Sequence, residues 1–133
     1  MSVGLLLITH NRIGAELLST ATRMLGCCPL PATAMAVIES DDPDELREQA
    51  RRCATALDDG AGVLVLTDLF GSTPSNVAAG LRNDPNVLVL SGVNLPMVVR
   101  VLNYHGLALS DLADKALSGG HDGLLACPGA AQR

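Results

Sequence analysis

Four short stretches of the chain are apolar at nearly every position: residues 3–8, 33–38, 63–66 and 87–90. A strand with one wet face alternates apolar and polar side chains, whereas a strand covered on both faces does not. These runs therefore predict buried strands of a parallel sheet. The segments between them carry helical spacing. In residues 13–25, Ile13, Leu17, Leu18, Thr22 and Leu25 fall on one side, and in residues 44–57 Leu46, Ala50, Cys53, Ala54 and Leu57 do the same.

Helix boundaries are marked by local chemistry. Asp41 and Asp42 precede Pro43, and acidic residues follow in the first turn, where the helix dipole favours them. Gly26 and Gly60 follow the ends of the first and second helices. Pro74 and Pro96 suit the first turns of a third and a fourth helix, where no backbone N–H is needed. A further helix is predicted over 110–117, stopped by Gly119 and Gly120, and a weak last strand over 121–127. Alternating strands and helices imply right-handed βαβ crossovers. The predicted fold class is α/β, a doubly wound, mostly parallel sheet with helices on both faces.

The 133 residues fit one domain, and 48% hydrophobic against 17% charged excludes a disordered chain. Aromatic residues are almost absent, only Phe70 and Tyr104, which removes base-stacking surfaces. Eight scattered arginines and the single Lys115 in a chain of net charge −5 build no basic patch, so no nucleic-acid partner is expected. No basic leader with an apolar core opens the sequence, and no apolar run reaches the roughly 20 residues that span a bilayer. The expectation is a cytoplasmic protein without direct membrane insertion. Its four cysteines are then expected as thiols, and with no Cys-x-x-Cys or paired Cys/His spacing no metal site is expected.

In an open α/β sheet, ligands bind beyond the carboxyl ends of the strands. His10 and Asp68 stand immediately past the first and third predicted strands, which would flank the central crevice. A carboxylate that accepts from one imidazole N–H fixes the tautomer and leaves the other nitrogen with a free lone pair, a nucleophile suited to phosphoryl capture. Gly71, Ser72, Thr73 and Pro74 add a helix start whose N–H groups and hydroxyls can hold an anion. Each signal alone is ordinary. A strand-end histidine is commonly a capping or solvated residue, and Gly-Ser-Thr-Pro is a common strand-to-helix turn. Their convergence reads as a phosphohistidine site. His105 and His121 lie away from the predicted crevice, and the aliphatic stripe of Met97, Val98, Val101 and Leu102 reads as core or, as the lesser alternative, a dimer contact.

Three segments together resemble the IIA component of the mannose-type phosphoenolpyruvate-dependent sugar phosphotransferase system. They are Leu7-Ile-Thr-His10, Leu66-Thr-Asp-Leu-Phe-Gly-Ser-Thr-Pro-Ser-Asn76 and Ser91-Gly-Val-Asn-Leu-Pro-Met97, and the likeness runs over nearly all of residues 1–127. The resemblance implies a sheet of order 2-1-3-4, with a fifth antiparallel strand exchanged in a homodimer; the weak strand over 121–127 matches it. It also implies that His10 takes a phosphoryl group on Nε2 from phospho-HPr and passes it to a IIB protein. Asp68 would orient the ring, Gly71, Ser72 and Thr73 would hold the phosphate, and no cofactor is required. Residues 1–127 are then the phosphocarrier domain and 128–133 a flexible tail. Because the sequence reaches Arg133 without the Ala/Pro-rich linker common in such proteins, the expected IIB acceptor is a separate protein.

Other readings share parts of this pattern. A regulatory module would use the same His10 but bind a target according to its charge state. The phosphotransfer subunit of dihydroxyacetone kinase shares the early histidine, although the motif after Asp68 resembles the sugar system more. A receiver domain phosphorylated on Asp68 needs acidic magnesium ligands after the first strand, where this chain has Thr9, His10 and Asn11. A flavodoxin relative would need aromatic residues at the strand ends, and only Phe70 is there.

Overall fold

A computed structural model of the protein describes residues 1–128. Its elements are β1 (Gly4–His10), α1 (Ile13–Leu25), β2 (Ala32–Val37), α2 (Pro43–Leu57), β3 (Val63–Thr67), α3 (Thr73–Ala79), β4 (Val87–Ser91), α4 (Leu95–Asn103) and α5 (Leu109–Asp122). The four strands are all parallel, in the order β2-β1-β3-β4.

The continuous apolar runs divide their side chains between two cores, because successive strand residues point to opposite faces. Leu5 and Leu7 of β1 join Leu64 and Leu66 of β3 against α1, α4 and α5, where Ala21, Val98, Val101, Leu102 and Leu112 are buried. Leu6 and Ile8 join Val63 and Val65 on the other face, against Leu46, Ala50, Val77 and Ala78 of α2 and α3. Burying one such side chain is worth about 1.5–3 kcal/mol, so these two layers carry the fold.

Helix α2 packs as its spacing predicts, with Leu46, Ala50, Ala54 and Leu57 buried and Asp42 capping the N–H of Asp44. The contact face of α1 is rotated from the expected one. Gly14 and Ala21 are buried, Leu17 and Leu18 partly so, while Ile13 remains 45% exposed. A Cβ on Gly14 would come within 3.1 Å of Leu7 Cβ, so the small residue lets α1 lie directly on β1.

The last helix corrects the expected layout. Helix α5 runs through Gly119 and Gly120 to Asp122, so His121 and Asp122 are helical rather than the start of a strand. Both glycines face α4: a Cβ on Gly119 would sit 2.5 Å from Arg100 Cβ, and one on Gly120 would sit 2.9 Å from the Met97 methyl. Close helix contact, not helix termination, accounts for them. Residues 124–128 have no regular secondary structure in the single chain, and the described residues contain no fifth strand. Of the expected tail, 129–133 lie outside the described residues. No described helix is long and apolar enough to cross a membrane.

Candidate functional site

His10 is the last residue of β1 rather than the first beyond it. The β1–β2 ladder reaches His10 opposite Val37, but the β1–β3 ladder stops at Ile8 opposite Thr67. Past that point β3 gives way to Asp68, whose side chain takes over. Asp68 Oδ2 accepts the backbone N–H of His10 at 3.0 Å, and the ring nitrogen Nδ1 lies 2.8 Å from the same oxygen. The second carboxylate oxygen accepts the N–H of Leu69.

Burial of the Asp68 carboxyl works against its charge. The hydrogen bonds from the His10 backbone and ring, with the ring's own charge when protonated, outweigh that and hold the pKa below the usual carboxylate range. An ionised carboxylate only accepts hydrogen bonds, so the ring nitrogen facing it carries the proton. The other nitrogen, Nε2, keeps its lone pair and has no protein hydrogen bond among the described residues. The His10 side chain is 42% exposed against 12% for Asp68, so the ring faces solvent and the carboxylate behind it does not.

The backbone around His10 is held from below. Thr9, fully buried, accepts the N–H of Gly14 on its hydroxyl at 2.8 Å and so ties the first turn of α1 to the end of β1. Asn11 takes a left-handed conformation with φ 49°, which asparagine tolerates better than most residues, and its N–H bonds to Val37 O.

His10 opens onto a cleft of about 420 Å³ shared with Asn11, Glu39, Asp41 and Thr73. Thr73 therefore shares the cleft with His10, while Asp68 holds the ring without lining it. Gly71 and Ser72 sit in the same loop but do not line that cleft. Ser72 occupies the N-cap position of α3, yet its hydroxyl donates to Leu69 O at 2.6 Å instead of capping the helix. Gly71 has φ 85° with open space where a Cβ would be, so the backbone turn alone requires glycine there. Glu39 and Asp41 are acidic neighbours whose role the sequence left unassigned. Their position after β2 was the available signal.

The other two histidines lie in the turn that follows α4 and on α5. His105 bonds through Nδ1 to Leu102 O, and His121 lies on an exposed turn of α5. A second cleft of about 440 Å³ lies at the amino ends of the strands, but its carboxylates Asp58 and Asp84 are engaged by loop N–H groups. The described residues contain no cluster of three or more metal-ligating side chains.

A parallel α/β domain with a carboxylate-oriented histidine at the crevice defines the class to which comparison can be made. Residues 4–117 match the EIIA-man family, described as the PTS system fructose IIA component, and the chain belongs to it. It is 30% identical over 103 residues to the PTS system mannose-specific EIIAB component of Escherichia coli strain K12, covering 77% of this chain and 32% of that relative. It is 38% identical over 77 residues to the PTS system fructose-specific EIIA component of Bacillus subtilis strain 168, covering 55% of this chain and 53% of that one. The chain thus spans about a third to a half of these relatives' lengths. The crystal structure of a phosphotransferase system component EIIA from Streptococcus agalactiae superposes with a TM-score of 0.82 at 25% identity, covering 93% of this chain and 96% of that one. By family the chain is thus of the mannose-type IIA kind.

Proposed function

We propose that this IIA component is a phosphocarrier working through His10, taking a phosphoryl group from phospho-HPr and passing it to a IIB protein in sugar uptake. The observation that carries the reading is the 2.8 Å contact between Asp68 Oδ2 and His10 Nδ1, which leaves Nε2 as the outward lone pair.

The Nε2 lone pair attacks the phosphorus of the donor's phosphohistidine. The new N–P bond forms as the donor's N–P bond breaks, and the bonding pair returns to the donor imidazole. The Nδ1 proton stays on His10, and Asp68 stabilises the positive charge that develops on the ring. Transfer to IIB is the same exchange in reverse. Both bonds are between phosphorus and imidazole, so the step is nearly thermoneutral and positioning supplies most of what is needed. Thr73, with Gly71 and Ser72 in the loop before it, is the proposed phosphate cradle, and residues 1–127 the working domain.

Incubation with phosphoenolpyruvate, enzyme I and HPr tests the reading. One phosphate per chain is expected, labile in acid and stable in base, as a phosphoramidate is. His10→Ala should abolish it, and His105→Ala and His121→Ala should retain it. A label that persists in His10→Ala, or one lost in base as an acyl phosphate on Asp68 would be, overturns the assignment.

A further inference from the structure

The four connections at the carboxyl ends of the strands are residues 11–12, 38–42, 68–72 and 92–94. They hold four acidic residues, Glu39, Asp41, Asp42 and Asp68, and a single basic one, Arg12. Every other described basic residue lies elsewhere. Arg23 is in the last turn of α1; Arg47, Arg51 and Arg52 are within α2; Arg82 follows α3; Arg100 is in α4 and Lys115 in α5. A phosphoryl group carries a charge of about −1.5 to −2 near neutral pH. Placed on His10 it would meet Glu39 and Asp41 in the same cleft and Asp68 behind the ring. Backbone N–H groups and hydroxyls alone would have to offset that repulsion.

Arg12 is two residues from His10, across the left-handed turn at Asn11, and stands at the N-cap position of α1. Its guanidinium pairs one turn along the helix with Glu16, Nη2 to Oε1 at 3.2 Å, and the two side chains are 78% and 67% exposed. An exposed pair of that kind is weak, so leaving Glu16 costs little. A charge-assisted contact to a dianionic phosphoryl group is roughly twice as strong as a neutral hydrogen bond.

We propose that Arg12 is the phosphoryl-binding cation of this site: it rests on Glu16 while His10 is unmodified and moves to the phosphoryl oxygens once Nε2 is phosphorylated. The proposal rests on His10 being the acceptor. Glu16 acts only as the resting partner, and the exchange replaces one ion pair by another without any further group.

The test uses potassium phosphoramidate, a chemical donor that needs no partner protein. The Nε2 lone pair attacks phosphorus, the donor's N–P bond breaks, and ammonia leaves with the pair. Arg12→Gln is expected to be labelled roughly three- to tenfold more slowly than the unaltered protein, the range for losing one charge-assisted contact in a partly wet site. Glu16→Gln should be labelled faster, and raised ionic strength should narrow the gap between Arg12→Gln and the unaltered protein. The ³¹P titration of the bound group gives a readout a merely structural role would not move. Arg12 lowers the phosphoryl pKa, so Arg12→Gln should raise it, and Arg12→Lys should restore most of the difference. Equal labelling rates and equal phosphoryl titration in Arg12→Gln and the unaltered protein overturn the role of Arg12 while leaving His10 as acceptor. No label on His10 from either donor instead overturns the phosphocarrier reading itself.

Discussion

One carboxylate oxygen, Oδ2 of Asp68, holds both the backbone N–H and the ring Nδ1 of His10, at 3.0 and 2.8 Å. The two residues are 58 positions apart in the chain. The backbone contact ends the β1–β3 ladder, and the ring contact sets the tautomer. The same atom therefore fixes where the histidine is and which nitrogen it offers.

Asp68→Asn should slow phosphorylation of His10 without unfolding the domain. The amide can still accept the backbone N–H through its oxygen, but it cannot stabilise a developing imidazolium. The lost charge-assisted bond is worth about 1.5–3 kcal/mol, or roughly ten- to hundredfold in rate. Single-turnover labelling alongside a thermal melt checks both halves, and an unchanged rate removes Asp68 from the site.

The same residue ties stability to acid. Its pKa in the folded chain lies below its usual value, so its contribution is complete above about pH 4, the unfolded range. That contribution is lost as pH falls further, through the folded pKa. Urea denaturation from pH 6 down to pH 3 should show the stability gap between the unaltered protein and Asp68→Asn closing at the acid end. A gap that widens with acid would contradict the lowered pKa.

Thr9→Val keeps the shape of a fully buried side chain and removes the hydroxyl that accepts the Gly14 N–H. A buried donor left unpaired costs about 1–3 kcal/mol. Urea denaturation should register that loss, and amide exchange should quicken at Gly14 before the rest of α1. Stability equal to that of the unaltered protein would mean the first turn of α1 finds another partner.

Gly119→Ala should destabilise the protein despite alanine's better helix propensity. The added methyl meets Arg100 Cβ at 2.5 Å, and neither that atom nor the Pro96 carbonyl beside it is a flexible chain end. Overpacking of this kind costs about 1–3 kcal/mol. Gain of stability in a chemical melt would show that α4 and α5 can separate freely.

We also propose that the protein is a homodimer. Strand β4 has no neighbour on its outer side among the described residues, and Leu124 and Leu125 beyond α5 are exposed. An unpaired edge and an apolar segment with nothing to cover it invite a second copy. Sedimentation should give a dimer at micromolar concentration, and Leu124→Asp with Leu125→Asp should give monomers. A monomeric unaltered protein would refute the dimer.

The alternation of strands and helices, the ends of α1 and α2 and the proline starts of α3 and α4 were all readable from the chain, because apolar periodicity and capping act over a few residues. His10, Asp68 and Thr73 could be named from their places at the end of β1 and after β3, since ligands of open α/β sheets gather at the carboxyl ends of the strands. What folding in three dimensions decided depends on partners far away in the chain. Gly119 and Gly120 read locally as a helix stop, yet they continue α5 because Arg100 and Met97 of α4 occupy the space a side chain would need. Ile13 belongs to the apolar stripe of α1 but stays exposed, because Gly14 and Ala21 are the residues small enough to let the helix settle on β1. Two ladders of unequal length leave the His10 N–H open for Asp68, and the β2–α2 turn brings Glu39 and Asp41 into the cleft that His10 lines. Register and close approach are set by the shapes of both surfaces at once, and one stretch of sequence carries only half of each.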